Sequence, residues 1–337
     1  MFLVVLKLVR RDAILRERVE DLASIRGMKV SEFVECLGKA GGFMAKRVYK
    51  AAKLLLDMIL DRECYVFLSF PANIVATGLR GIIAAMIGNG MVDAVITTGG
   101  TLDHDIARSF GEYYHGYFEA DDLMLRELEI HRLGNIFIPL ENYGPLIEKV
   151  VMSMLKEISI VKKRWSPSEL AREMGKRIID ENSILRQAYL RKVPIYVPGI
   201  VDSSFGTQLF FYAQTNEFEI DLFSDMKKIL DTVFEAKRTG GIVIGGGISK
   251  HHLIWWNQFK EGLDYSVYMT TAVEWDGSLS GALPREAISW GKLKPRAKHV
   301  TVYGDATIIL PLIFYYVLDK MSDCLLYRSD AADDGES

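Results

Sequence analysis

Two segments of the 337-residue sequence combine residue types that can do chemistry. The first, GGIVIGGGISKHH (residues 240–252), runs an apolar stretch into Gly245, Gly246 and Gly247 and then opens a helix. Glycines there let backbone N–H groups approach a phosphate, and the N-terminal end of a helix favours its charge. The spacing is neither GxGxxG nor a Walker sequence, so a plain strand-to-helix turn is the competing reading. Lys250, His251 and His252 follow. Histidine exchanges a proton near neutral pH, which suits a general base. Adjacent residues on a helix point in different directions, so the pair is a poor metal chelator. The second segment, TTAVEWDGSLSGALPREAISWGK (residues 270–292), carries Glu274, Asp276, Glu286, Trp290 and Lys292. An amine shielded from water beside an indole loses its proton more readily and can act as a nucleophile. On composition alone the commoner reading of Lys292 is a surface lysine at a helix end, where the helix dipole favours it.

Three further segments end apolar runs in glycine or carboxylate: PANIVATG (71–78), ITTGGTLDHDI (96–106) and YGDAT (303–307). Asp103 and Asp105 could complement the dipole of the helix they open, and His104 between them is either a site residue or a solvated one. Asp305 could hold ribose hydroxyls or cap the next helix, the commoner use. One rim of a parallel sheet would hold all of these ends, which suits a nucleotide-type pocket.

The elements that must position them are legible. Helical spacing runs from Ser31 to Arg62, divided by Gly38, Gly41 and Gly42. Strands are expected at CYVFLSF, VDAVITTGG, NIFIP, VPIYVPG, GGIVIGGG, YSVYMTTA and HVTVYGD, and helices at ATGLRGIIAAMIGNG, Tyr143–Ile158, Ser166–Glu181, Phe223–Lys237 and Ile308–Leu318. Alternating strand and helix predicts an α/β fold: a parallel sheet with helices on both faces and a helical N-terminal extension. The division expected is an extension over residues 1–40, one catalytic domain over 41–320, and a tail over 321–337 that ends disordered in SDAADDGES.

Composition narrows the function classes. A chain that is 49% hydrophobic and 25% charged builds a large core, and a net charge of −3 gives no basic footprint for nucleic acid. Cys36, Cys64 and Cys324 are far apart and lack CxxC spacing, so neither zinc nor a disulfide framework is expected, and reduced thiols point to the cytoplasm. The opening MFLVVLKLVRRD is too short to span a bilayer and reads as a strand or helix packed on the body, or as an upstream extension.

The segments GGGISKHH, LDYSVYMTTAVEWDGSLSGALPREAISWGKL and VTVYGDATIILPL, in this order and spacing, resemble the deoxyhypusine synthases. NIVATGLRGIIAAMIGNGMVDAVITTGG, RLGNIFIPLENY and VPGIVDSSFGTQLFF are similar to further family segments, so the resemblance covers roughly residues 40–320. It implies a Rossmann-like NAD-binding domain, usually in a homotetramer, that moves the 4-aminobutyl group of spermidine to one lysine of a translation initiation factor precursor. It implies Lys292 as the residue that forms the enzyme imine and His251 as acid and base. Trp290 would pack on the substrate methylenes and Glu286 would hold an amine. NAD would lie along Asn73, Thr98, Gly99, Gly100, Asp202, Gly245–Gly247, Thr271, Asp276 and Asp305. Three polyamine positions differ from the eukaryotic pattern of the family. Leu279 stands where GSDSG has aspartate, Thr207 ends the segment after Asp202, and His104 fills half of an acidic pair. Two alternatives stay open: a related transfer of aminobutyl to a free amine such as putrescine, and an inactive NAD-binding homologue.

Overall fold

The computed structural model describes residues 17–22 and 26–333, so the expected element at the very start lies outside the described residues. Helices α1 (Val30–Ala40) and α2 (Phe43–Leu60) are broken from one another at Gly41 and Gly42, both with left-handed φ (65° and 67°). The main run is then β1 (Cys64–Ser69), α3 (Leu79–Gly88), β2 (Ala94–Ile96) and α4 (Gly99–Phe110). An insertion follows: β3 (Tyr114–His115), α5 (Asp122–Glu127), β4 (Ile130–Leu133), β5 (Ile136–Pro139) and α6 (Gly144–Ile158). Next come β6 (Arg164–Trp165), α7 (Pro167–Arg177), α8 (Ile184–Arg191), β7 (Ile195–Tyr196), α9 (Ser204–Thr215), β8 (Glu219–Ile220) and α10 (Leu222–Glu235). The chain closes with β9 (Arg238–Ile244), α11 (Gly247–Asn257), β10 (Leu263–Thr270), α12 (Pro284–Ser289), β11 (Leu293–Tyr303) and α13 (Ala306–Asp333).

Six strands form one parallel sheet in the order β11-β10-β9-β1-β2-β7. From β1 at its middle the chain moves outward through β2 and β7, returns to β9 on the other side of β1, and moves outward again. The connection therefore reverses between β1 and β9, the crevice where open α/β sheets bind ligands.

Burial on both faces makes these strands continuous apolar runs. Alternate side chains go to opposite layers: Val66, Leu68, Ile242, Ile244, Val267 and Met269 to one, Phe67, Val243 and Tyr268 to the other. Glycines in β9 set the spacing. A Cβ at Gly240 would stand 2.5 Å from Met58 Sδ of α2, and one at Gly241 3.0 Å from Leu253 Cδ2 of α11. Their absence lets a helix lie close on each face.

Two expectations are corrected. NIFIP is not part of the parallel sheet: β5 pairs antiparallel with β3 and β4 in a separate three-stranded sheet. Only Gly134 and Asn135 separate β5 from β4, too few for a parallel crossover. The last helix also runs far past Leu318, to Asp333, through the first five residues of the acidic tail. Asp305 starts it by accepting the Thr307 N–H at 2.8 Å.

Asp103 and Asp105 do not serve the helix that carries them. Both sit past its first turn and are buried, at 2% and 0% exposure. Asp103 accepts the Ser204 and Phe205 N–H groups at the start of α9, at 2.8 and 2.7 Å. Asp105 accepts those of Ile184 and Leu185 at the start of α8, at 3.1 and 2.8 Å. Each carboxylate caps a neighbouring helix, where unpaired N–H groups and a positive dipole end meet.

Candidate functional site

The C-terminal ends of the parallel strands meet in one rim. Gly245 leaves β9 with φ +69° against Pro71 just beyond β1, where a Cβ would lie 3.4 Å from Pro71 Cγ. A Cβ at Gly100 would stand 2.9 Å from that of Ala72, and one at Gly99 2.5 Å from that of Ser203. So the turns after β1, β2, β7 and β9 touch one another. Asn73 and Asp202 are exposed here, Thr98 is half-buried at the N-cap of α4, and Gly247 (φ +67°) opens α11 with nothing near its Cα. Thr271 lines an adjacent groove of about 530 Å³ with Val273, Glu274, Trp275, Tyr303 and Gly304. Asp276 is exposed and accepts the Ser278 N–H at 2.7 Å. With Asp305, every residue expected along a dinucleotide is therefore at this rim or on the loops that leave it.

Lys292 is elsewhere. Its carbonyl accepts the Leu263 N–H at 3.2 Å, at the N-terminal start of the β10–β11 ladder. Gly262 (φ +95°) permits this, since a Cβ there would meet the Leu293 nitrogen at 2.5 Å. The link between the two places is α11, which starts at the glycine turn and descends along the sheet. His251 lies one helical turn below Gly247 and Trp255 one turn further, at about 1.5 Å rise per residue. The His251 and Trp255 rings stack with centroids 5.4 Å apart and planes at 24°. Lys292 Nζ sits 5.5 Å from the Trp255 ring centroid and 5.1 Å from that of Trp290. Lys292 is 8% exposed, whereas Trp290 and Trp255 are 65% and 40% exposed. The surface-lysine reading fails: the amine lies buried between two indoles that themselves face outward.

Electrostatics differ between the two histidines. Burial, and then the Lys292 charge, hold His251 below its ordinary value, so it is neutral and able to accept a proton at pH 7. Burial brings His252 down to about 4, and its Nε2 accepts the Trp256 indole N–H at 3.0 Å. His252 is thus fixed in structure and His251 is the free one. Both indole partners stand four residues on, a spacing visible in HHLIWW that marks each pair as one face of the helix.

None of the three altered polyamine positions carries a carboxylate. Thr207 is exposed and its hydroxyl donates to the Ser203 carbonyl at 2.9 Å. His104 is 9% exposed, packed between Tyr113 and Tyr143, with Nδ1 2.8 Å from the Tyr113 hydroxyl. Leu279 is half-buried in the loop before α12. Glu286, on α12, is exposed and is the carboxylate whose charge reaches Lys250.

Comparison with known proteins bears on most of the chain. The family model described as deoxyhypusine synthase matches residues 32–317. A protein of Sulfurisphaera tokodaii that carries the name probable deoxyhypusine synthase is 57% identical over 306 residues, covering 90% of this chain and 98% of its own. One of the same name from Sulfolobus acidocaldarius is 56% identical over 308 residues, with the same coverage of 90% and 98%. In fold, the chain is similar to a crystal structure of a protein assigned as a deoxyhypusine synthase from Entamoeba histolytica. The TM-score is 0.61 at 21% identity, over 86% of this chain and 93% of that one.

Proposed function

Since the chain belongs to the deoxyhypusine synthase family, we propose that it transfers the 4-aminobutyl group of spermidine to one lysine of a translation initiation factor precursor, using NAD and a covalent imine on Lys292. The observation that carries this reading is the Lys292 amine, 8% exposed between two indoles and beside a neutral His251. A primary amine held out of bulk water beside a base is placed to form a covalent imine.

A dinucleotide fits the rim. The reversal of strand order, the three glycines and the open start of α11 form a cradle for a pyrophosphate. Asp305 spends one oxygen on its helix and keeps the other for a hydroxyl. The bound dinucleotide supplies the acceptor, and later the donor, of one hydride. His251 takes the proton released when the carbon beside the secondary amine loses hydride. Lys292 Nζ would attack that carbon and expel 1,3-diaminopropane, leaving a 4-aminobutyl imine on the enzyme. The acceptor lysine would then displace Lys292, and the hydride that the dinucleotide would supply would reduce the new imine to a secondary amine. Trp290 covers the methylenes and Glu286 pairs with an ammonium. Gly246 takes part in the cradle: a Cβ there would lie 2.4 Å from Ser280 Cα. Gly246→Ala is expected to weaken NAD affinity about tenfold or more, about 1.4 kcal/mol, read by titrating tryptophan fluorescence.

The indoles at the site are open on the single chain, which suits closure by a second protomer in the tetramer that the reading includes. Among the described residues, no helix is long and apolar enough to cross a membrane. A cytoplasmic location goes with the reading. A second reading, transfer to a free amine such as putrescine, is kept because Thr207, His104 and Leu279 leave the polyamine positions without their carboxylates, and an unpaired buried ammonium is costly in the usual spermidine pose. One experiment decides. Incubate the chain with NAD and spermidine labelled in the butyl group, alone, with the initiation factor, and with putrescine. Label on the factor supports the lead reading and label in homospermidine the second. Label on neither, with none trapped on the enzyme by borohydride, sinks both.

A further inference from the structure

Lys250 is the most deeply buried lysine at the site, 1% exposed, and no step above uses it. Its Nζ donates to the Leu279 carbonyl at 2.6 Å and the Ala282 carbonyl at 2.7 Å. It also lies 4.4 Å from the centroid of the Tyr268 ring. No carboxylate is in ion-pair contact with it among the described residues. Charge-assisted bonds to two carbonyls of one loop are strong and directional. That loop leaves β10, and its other attachments are Thr270 Oγ1, which donates to the Ser280 carbonyl at 3.1 Å, Ser280 against Gly246, Leu279 packed on the core, and the exposed Glu274–Arg285 ion pair. Two residues past Ala282 begins α12, which carries Glu286 and leads through Trp290 to Lys292.

We propose that Lys250 is a positioning residue: its ammonium clamps the 277–283 loop onto α11 and so sets the place of α12, and of Trp290 and Lys292, relative to His251. The clamp joins the glycine turn to the nucleophile segment through a single side chain. In the catalytic terms above it rests on the proposed function, but its geometry can be read without any substrate.

The test is hydrogen exchange of the full chain, wild-type against Lys250→Met and Lys250→Gln. Amides of 272–283 are expected to exchange at least about tenfold faster in Lys250→Met, with an intermediate effect in Lys250→Gln, while β9 and β10 hold their protection. Reductive methylation of Lys292 by formaldehyde and cyanoborohydride should rise severalfold in the same variants. Unchanged loop exchange would overturn the clamp whether or not the chain transfers aminobutyl groups. Conversely, a failed transfer assay leaves both readouts intact. Should neither variant fold, the wild-type chain still answers: a clamped loop protects the Gly281 amide, which donates to the Ser278 carbonyl at 3.2 Å, at least about tenfold against its unfolded rate. Exchange at the unfolded rate would overturn the clamp.

Discussion

Lys292→Ala is expected to remove the borohydride-trapped adduct entirely and to lower aminobutyl transfer about a thousandfold or more. The amine forms the bond in this reading, and no second lysine can replace it. Lys294, two residues on, pairs with Asp264 at 2.7 Å, and the Nζ of the buried Lys250 is held by two carbonyls and the Tyr268 ring. Lys292→Arg should fail equally, because a guanidinium keeps its charge and has no free pair to offer. NAD affinity should change little in either variant, since Lys292 stands at the start of β11 and the glycine turn at the far end of the sheet. Mass spectrometry after borohydride reduction and a label-transfer assay check the pair of outcomes. Trapped label in Lys292→Ala would move the nucleophile elsewhere and remove the central role given to this residue.

Asp105→Asn should cost stability rather than chemistry, by about 3–5 kcal/mol. Its carboxylate is fully buried and pairs with Arg80 Nε at 2.6 Å, itself only 4% exposed in its side chain. The same two oxygens accept the Ser183 hydroxyl and the Ile184 and Leu185 N–H groups. An amide turns a donor toward donors and leaves the guanidinium short of charge, held by Asp180, the Ser109 hydroxyl and the residue-105 backbone carbonyl. The melting temperature should fall on the order of 10 °C, measured by circular dichroism. Asp180→Asn is the control. That carboxylate is 26% exposed and also pairs with Arg80, so its loss should cost about 1 kcal/mol. Similar losses in the two variants would deny Asp105 its place as the hub joining α3, α4 and α8.

The pattern of apolar runs and glycine turns carried the parallel sheet, because strands buried on both faces must be apolar throughout. It failed at NIFIP, an equally apolar run, because hydrophobicity does not record strand direction. That was decided by the two-residue turn between β4 and β5, which allows only an antiparallel pair. The role of Asp103 and Asp105 was hidden for a related reason. Their partners, the starts of α9 and α8, are about eighty to a hundred residues away in sequence, and local spacing favoured a dipole effect on their own helix.

The sequence by itself determined the family, the order of the strand-end turns and the identity of Lys292 and His251 as candidate chemistry, because residue types at fixed spacing survive without coordinates. Tertiary structure decided which lysine and which histidine are free to act. Lys250 and Lys292 are both buried, yet only one is tied to carbonyls. His251 and His252 are adjacent, yet only His252 takes an indole N–H on its ring. It also decided that the glycine turn and Lys292 lie at opposite ends of the sheet, joined by the face of α11. Sequence distance fixes neither hydrogen-bond partners nor the path of a helix across a sheet, and the chemistry depends on both.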